Sequence, residues 1–524
     1  MPLCSTCSDL KSLSFVPLGA TNGSKSGPLR VWTGQVKSVL WPDTAHDLLG
    51  VATGPQTAVL RMPHTPLPNA TNAFVGAAQL HRCLRAKSLG RTGFLRLLDA
   101  LPAALTLGGN IFCLDLSWSG MSADGAASLA TVLRQAAAFR DRDGARGVAL
   151  SHLKELTLCG ATSDLNRGTV ARPRYIGSDG ARHIAQALPA CTGLTALDLS
   201  CCYIRSAGAV HLAAALTQDV LRRLETLVLS NNDIMTAGAK ALSKSLSVPP
   251  SDCRLPSPFC ALRRLDLACN SIDSEGATAL CAALRSMKGN NALETLQLGM
   301  NPIRHGGATQ LSEVISTCSS LQTLDLHVCM IACDGASALA QALPRCPRLT
   351  SLNVGGNSIK DRGAIALAAA LPSCPALSHL DLSALKVADS SAGTEASTGA
   401  AAVVRCLPHM PHLSSLDISS TSLWGAASSE LSQSVAACTK LTSLRLSSCP
   451  NFAMFHAYSV SINDVPLPRI KLQHGLPASL TNLDIGDYAI DDGGFQACTP
   501  ALASCSQLQC LSLIDNKLTM RAFE

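Results

Sequence analysis

The chain has 524 residues, 47% hydrophobic and only 3% aromatic, with 42 basic and 36 acidic side chains and a net charge of +6. Its core must be aliphatic, and so mild a charge excess gives no electrostatic ground for a nucleic-acid partner. No run of eighteen apolar residues occurs and MPLCSTCSDLKSLSF lacks the basic-then-apolar order of a signal peptide, so neither a membrane span nor a secretory leader is expected. The expected location is the cytoplasm, with the nucleus as the alternative. Twenty-three cysteines is an odd number in a long chain, which argues for reduced thiols over a secreted disulfide framework.

Residues 1–15 read as the worn start of a repeat, with Cys7, Leu10, Leu13 and Phe15 at positions that recur later. Residues 16–75 lose the period and are rich in Gly, Pro, Ser and Thr, which predicts an irregular, partly disordered insertion. Within it, GATNGSKS at 19–26 approaches the phosphate-binding pattern GxxxxGK[ST]. Ser24 stands where the second glycine is required and Pro28 follows, so the backbone cradle and the helix behind it are both missing. Cys4-x-x-Cys7 has no second pair at zinc spacing. No HExxH or GxSxG occurs, so no cofactor, metal or catalytic residue is assigned and the chain is not read as an enzyme.

From residue 76 to 524 one pattern of about 28 residues returns. A worn copy near Leu80 leads to Leu89-Gly-Arg-Thr-Gly93 and FLRLLDAL. Clear copies start at Ile111, Leu153, Leu194, Leu224, Leu262, Leu293, Leu321, Leu349, Leu377, Leu413, Leu441, Leu480 and Leu508, giving 13 to 14 repeats. Counting each start as offset 0, leucines at 0, 3 and 5 alternate along a short strand, and those at 18 and 22 share one helical face. One such unit cannot bury its apolar side, whereas stacked units can. The fold class expected is therefore an α/β solenoid, a horseshoe with a parallel sheet on its concave face and helices on its convex face.

Three further columns support the stack. Offset 14 is glycine at 125, 208, 238, 276, 307, 335, 363 and 494, which lets the helix start lie close to its neighbour. Offset 8 is Asn232, Asn270, Asn301, Asn357 and Asn516, with Cys202, Cys329 and Cys449 in other copies; a buried amide there can satisfy backbone groups at the turn. Three residues before the start stand Cys7, Cys191, Cys318, Cys346, Cys374, Cys438 and Cys505, read as small core fillers. Insertions break the period near 134–152, 162–175, 247–261, 388–398 and 450–478; the last gathers Phe452, Phe455 and Tyr458, as a local mini-core or a binding patch. The last copy stops at Glu524 without a full helix, an end expected to be covered by a partner, frayed or the mark of a truncated array.

LDLSCCYIRSAGAVHLAAAL (197–216) and LDLACNSIDSEGATALCAAL (265–284), with their sister copies, resemble the ribonuclease-inhibitor type of leucine-rich repeat, also found in Nod-like receptors and Ran GTPase-activating proteins. The resemblance covers residues 80–524. It implies a non-enzymatic protein-interaction scaffold or, as the alternative, a small-GTPase regulator. The acidic C-terminal tail of Ran GTPase-activating proteins has no counterpart in LTMRAFE, and the nucleotide-binding domain of Nod-like receptors is not present in this sequence.

Offset 4 carries Asp115, Asp198, Asp266, Asp325, Asp381, Asp417 and Asp484. With offsets 2, 6 and 7, also assigned to the concave face, the count is ten acidic residues against Arg264 and Arg445. Neighbouring strands ~4.8 Å apart lie within the ~8 Å screening length of physiological salt, so these carboxylates reinforce one another. Two readings stand: a stripe that steers and binds a basic protein segment, or a habit that keeps an open sheet soluble. Trp118 is the only aromatic among the flanking positions, so the contact expected is charge-driven.

Overall fold

A computed structural model describes residues 12–14, 59–61, 83–85, 97–98, 101, 111–138, 148–160, 175–216, 218–247, 261–286, 292–385, 398–421, 426–447, 475–486 and 490–523. The phosphate-loop candidate, the Cys4/Cys7 pair, the aromatic group at 452–458 and nearly all of the insertions at 162–175, 247–261, 388–398 and 450–478 lie outside these residues. Two compact units divide the chain: Thr44–Leu321, and Met1–Asp43 with Gln322–Glu524.

Each strand is three residues long with leucine at its centre. β1 (Ser12–Ser14) belongs to the second unit. The first unit holds β2 (Val59–Arg61), β3 (Cys83–Arg85), β4 (Cys113–Asp115), β5 (Glu155–Thr157), β6 (Ala196–Asp198), β7 (Thr226–Val228), β8 (Arg264–Asp266) and β9 (Thr295–Gln297). The second continues with β10 (Thr323–Asp325), β11 (Ser351–Asn353), β12 (His379–Asp381), β13 (Ser415–Asp417), β14 (Ser443–Arg445), β15 (Asn482–Asp484) and β16 (Cys510–Ser512). Within each unit successive strands pair in parallel with leucine opposite leucine, as in Leu197 with Leu227 and Leu352 with Leu380. β1 pairs with the outer edge of β16 through Leu13 and Leu511, so the last copy's strand is covered by the chain's own first repeat-like segment. β2 lies inside the stretch 16–75 expected to be irregular. A short strand of Val-Leu-Arg has too little pattern to stand out from the Gly- and Pro-rich sequence around it.

The leucines go under the helices: Leu265 and Leu267 are 1% and 0% exposed, and the pattern repeats in every clear copy. Burying each such side chain contributes roughly 1.5–3 kcal/mol. Helices follow the strands at Ala123–Ala138, Gly177–Ala187, Arg205–Ala215, Met235–Leu246, Ser274–Ser286 and Arg304–Ile315 in the first unit, and at Cys333–Ala342, Lys360–Ala370, Thr398–Cys406, Ala426–Ala436 and Asp492–Ala503 in the second. The expected insertion at 134–152 is partly helical: the helix from Ala123 runs on to Ala138 and a short one covers Val148–Ser151. A Cβ added at Gly180, Gly208, Gly238, Gly276, Gly307 or Gly363 would stand 2.8–3.2 Å from the Cβ of an alanine on the preceding helix. Bare glycine is what lets successive helices touch. Gly180 escaped the sequence column because the insertion at 162–175 displaces it from offset 14.

The asparagine column is a buried ladder. Asn270 Nδ2 donates to the carbonyls of Leu229, Leu267 and Ala268 at 2.9, 3.0 and 3.1 Å, while its Oδ1 accepts from the N–H groups of Asn232 and Ile234. Asn232, Asn301 and Asn357 repeat the arrangement. In Cys202 and Cys329 copies the thiol fills the same place; Cys202 is 1% exposed and gives its S–H to Leu158 O at 3.2 Å. The cysteines at 191, 318, 346, 374, 438 and 505 are buried, as the core-filler reading expects. Burial pushes the thiols of Cys191, Cys281 and Cys406 up to about 12 and those of Cys346, Cys374 and Cys438 up to about 11.

Candidate functional site

The offset-4 column lies on the sheet face turned away from the helices, as alternate strand residues must. Within the first unit the row runs Arg61, Arg85, Asp115, Thr157, Asp198, Val228, Asp266, Gln297 by register. Within the second it runs Asp325, Asn353, Asp381, Asp417, Arg445, Asp484, Ser512. The seven aspartates thus form two rows, three in one unit and four in the other. Asp381 and Asp417 sit on neighbouring strands, ~4.8 Å apart along the ladder. The two arginines that head the first row were not part of the expected site: β2 falls in the stretch expected to be irregular, and the worn copy near Leu80 does not show which residues form its strand.

Every one of these aspartates has a local task that sequence reading missed. Oδ1 accepts the backbone N–H two residues on: from Ser117 to Asp115 at 3.1 Å, Ser200 to Asp198 at 2.8 Å, Ala268 to Asp266 at 3.1 Å and His327 to Asp325 at 3.1 Å. The same bond joins Ser383 to Asp381, Ser419 to Asp417 and Gly486 to Asp484 at 2.9, 2.9 and 3.1 Å. Asn353 does the same for Gly355 at 3.0 Å. The carboxylate therefore closes the turn that takes the chain out of the strand, a bond Asp and Asn are suited to make. The signal was present in the recurring LDLS, where a short acceptor precedes the turn by two residues.

Local closure also fixes the charges in place. Asp115 and Asp266 are buried, at 6% and 7% exposure, and the others are half-buried. Part of the charge is answered nearby. Arg264 comes within 3.6 Å of Asp266 Oδ2 and donates to Gln297 Oε1 at 2.7 Å, and Arg445 lies 3.7 Å from Asp417 Oδ2. Each unit thus has one arginine paired with an aspartate of its row among the described side chains. The His327 ring meets Asp325 Oδ1 at 2.7 Å, and that bond holds its pKa above the usual histidine value. The pair's contribution to stability is complete below the ordinary histidine range and is lost as pH rises through the raised folded value.

Asp381 is the strained member. Burial and the neighbouring Asp417 raise its pKa, against the bonds from Ser383 and the His327 ring that lower it. A raised carboxyl means a charge that costs stability above its folded pKa, and the cost vanishes as pH falls through that value. Asp381→Asn keeps an acceptor for Ser383 N, as Asn353 shows. It is expected to unfold at a higher temperature than the parent at pH 7, with the difference closing as pH falls toward 4. Asp381→Ala is expected to be about 1 kcal/mol less stable than the Asn variant in denaturant titration, through loss of that bond.

Offset 7 departs from expectation. Trp118, Cys201, Asn231, Cys269, Met300, Val328, Ala384, Ser420 and Asp515 all adopt left-handed backbone, with φ between 49° and 58°. They form the turn, not the strand face, so Asp515 and Trp118 belong to the edge where the sheet passes into the helices. Asp487, the other acid counted there, lies outside the described residues. At this edge Tyr175 and Tyr203 stack with centroids 5.4 Å apart and Arg205 covers Tyr203 at 4.3 Å. Among the described residues, no group of three or more His, Cys, Asp or Glu could hold a metal ion, and no helix is long and apolar enough to cross a membrane.

A family model described as Leucine Rich repeat matches residues 190–213, 221–243, 260–281 and 345–368. The chain is similar to NACHT, LRR and PYD domains-containing protein 5 of Homo sapiens, 35% identical over 122 residues, which is 23% of this chain and 9% of that protein. It is similar to NACHT, LRR and PYD domains-containing protein 2 of Homo sapiens, 32% identical over 225 residues, 42% of this chain and 20% of that one. Ribonuclease inhibitor of Sus scrofa is 29% identical over 167 residues, 28% of this chain and 36% of the inhibitor. The chain therefore spans between 9% and 36% of the lengths of these relatives.

Proposed function

We propose that this chain, a leucine-rich-repeat protein of the ribonuclease-inhibitor type, is a non-enzymatic scaffold whose units each offer an open sheet face with an aspartate row to a basic protein segment. Leucine-rich-repeat domains generally mediate protein–protein contacts, which supports the class of function. The observation that carries the finer reading is the pair of aspartate rows. Each carboxylate is held at Oδ1 by its own turn, so the charges are in position before a partner arrives and little ordering entropy is lost on contact. Asp381 and Asp417 are on neighbouring strands and the other aspartates of each row stand one intervening strand from the next, and fixed like charges so spaced focus a potential that speeds the encounter with a cation.

The test separates charge from structure. In a chain carrying Asp198→Asn, Asp381→Asn and Asp484→Asn, every turn keeps its acceptor and three negative charges disappear. Association with a lysine-rich peptide at low salt is expected to slow roughly ten-fold or more, with a shallower salt dependence and no loss of thermal stability. An unchanged association rate in the stable variant would leave the aspartates with their turn-closing role alone.

A further inference from the structure

Sulfur gathers at the turn edge of the first unit. The Cys159 thiol hydrogen-bonds to the Cys201 sulfur, with Gly160 O at 3.3 Å as its other acceptor. Asn231 Nδ2 donates to the same Cys201 sulfur at 3.3 Å. A backbone bond from Gly160 N to Ser200 O at 2.9 Å fastens the two turns side by side. A Cβ at Gly160 would stand 2.0 Å from Cys201 O, so the approach is as close as backbone permits. Cys201 is half-buried and opens into a cavity of about 200 Å³ lined with Tyr175, Tyr203, Asn231, Asp233 and Cys269. Cys202, its neighbour in sequence, is buried.

We propose that Cys159 and Cys201 are a reactive dithiol that hydrogen peroxide, admitted through this cavity, oxidises to a disulfide. The Cys201 thiolate attacks the peroxide: an S–O bond forms, the O–O bond breaks, and the departing oxygen leaves as water after taking a proton from solvent. The Cys159 sulfur then attacks the Cys201 sulfenic acid. An S–S bond forms, the S–O bond breaks, and the second water leaves with the Cys159 proton. Two electrons pass from the two thiols to the peroxide.

The surroundings favour Cys201 as the attacking group. Two donors, Cys159 S–H and Asn231 N–H, stabilise its anion and lower its pKa to about 7, against burial, Cys202 and Asp198, which act to raise it. Cys159 is pushed well above the ordinary thiol value, chiefly by its bond to Cys201. That cause ends once Cys201 is oxidised, which frees Cys159 for the second step. The other thiols with resolved shifts among the described residues are all raised, so they lie outside this chemistry at neutral pH.

The full chain, reduced and then given one equivalent of hydrogen peroxide at pH 7, tests this by peptide mass mapping. The expected product is lighter by two hydrogens, with Cys159 joined to Cys201 before any other pair. Cys159→Ser should instead leave Cys201 as a sulfenic acid that dimedone traps, and Cys201→Ser should slow peroxide consumption roughly ten-fold. Circular dichroism checks that each variant is folded, and the mapping of the unaltered chain decides alone if either is not. Disulfides scattered over the 23 cysteines, or a folded Cys201→Ser chain that consumes peroxide at the parental rate, would overturn the proposal.

Discussion

Asn270→Leu is expected to destabilise the first unit by about 3–5 kcal/mol, the largest effect of any single change considered. The reason is the number of buried backbone groups that depend on one amide. Without it the carbonyls of Leu229, Leu267 and Ala268 lose a donor, and the N–H groups of Asn232 and Ile234 lose their acceptor. Asn270 itself is 0% exposed, so no water replaces these bonds in the folded state. Leucine fills the volume but supplies neither donor nor acceptor. In urea titration the midpoint should fall with little change in slope. Thr278→Ala, on the exposed face of the following helix, is the matched control and should cost less than about 0.5 kcal/mol. Equal losses for the two variants would show that the ladder carries no special share of stability.

Gly238→Leu is expected to cost about 3 kcal/mol, again read from a urea midpoint. At this position even a Cβ would come within 2.5 Å of Ile234 Cγ2 and 2.8 Å of Ala209 Cβ on the preceding helix. Two opposing terms act in Gly238→Ala: about 1 kcal/mol gained in helix propensity and 1–3 kcal/mol lost to crowding. The methyl change should therefore be mildly destabilising and the isobutyl change severe. Gly494 is the comparison, because among the described residues a Cβ there meets only Asp491 Oδ1 and Ile490 Cγ2, both at 3.2 Å. Gly494→Ala should be close to neutral. A Gly238→Leu chain as stable as the parent would mean that the helices do not pack through this column.

Much of the fold was legible because the chain states it many times. The leucines at offsets 0, 3 and 5, the glycine at 14 and the asparagine at 8 each recur with one physical reason for their identity, and the structure gives each that place. What escaped was conformation that residue type does not announce. Offset 7 is Trp, Cys, Asn, Met, Val, Ala, Ser or Asp in nine described copies that share left-handed backbone, because the turn between strand and helix imposes it on varied side chains; Gly160 is the described copy that departs from it. Reading that position as strand put Asp515 and Trp118 on the wrong surface.

The aspartate column was found by position, but its bond to the backbone two residues on was not, since a carboxylate in LDLS reads equally as solvent-facing charge. Contacts between copies were the hardest to foresee. Cys159 and Cys201 belong to different repeats with an insertion between them, and only the stacking brings their sulfurs together.

The location of a basic partner on the protein can be read directly by zero-length carbodiimide coupling, which joins a lysine amine to a carboxylate only at contact. With a lysine-rich peptide as probe, coupling is expected at Asp198, Asp381 and Asp484 and to fall off as salt is raised. Coupling confined to the exposed helix-side acids Glu275, Asp334 and Glu313 would place the contact on the opposite surface and contradict binding through the aspartate rows.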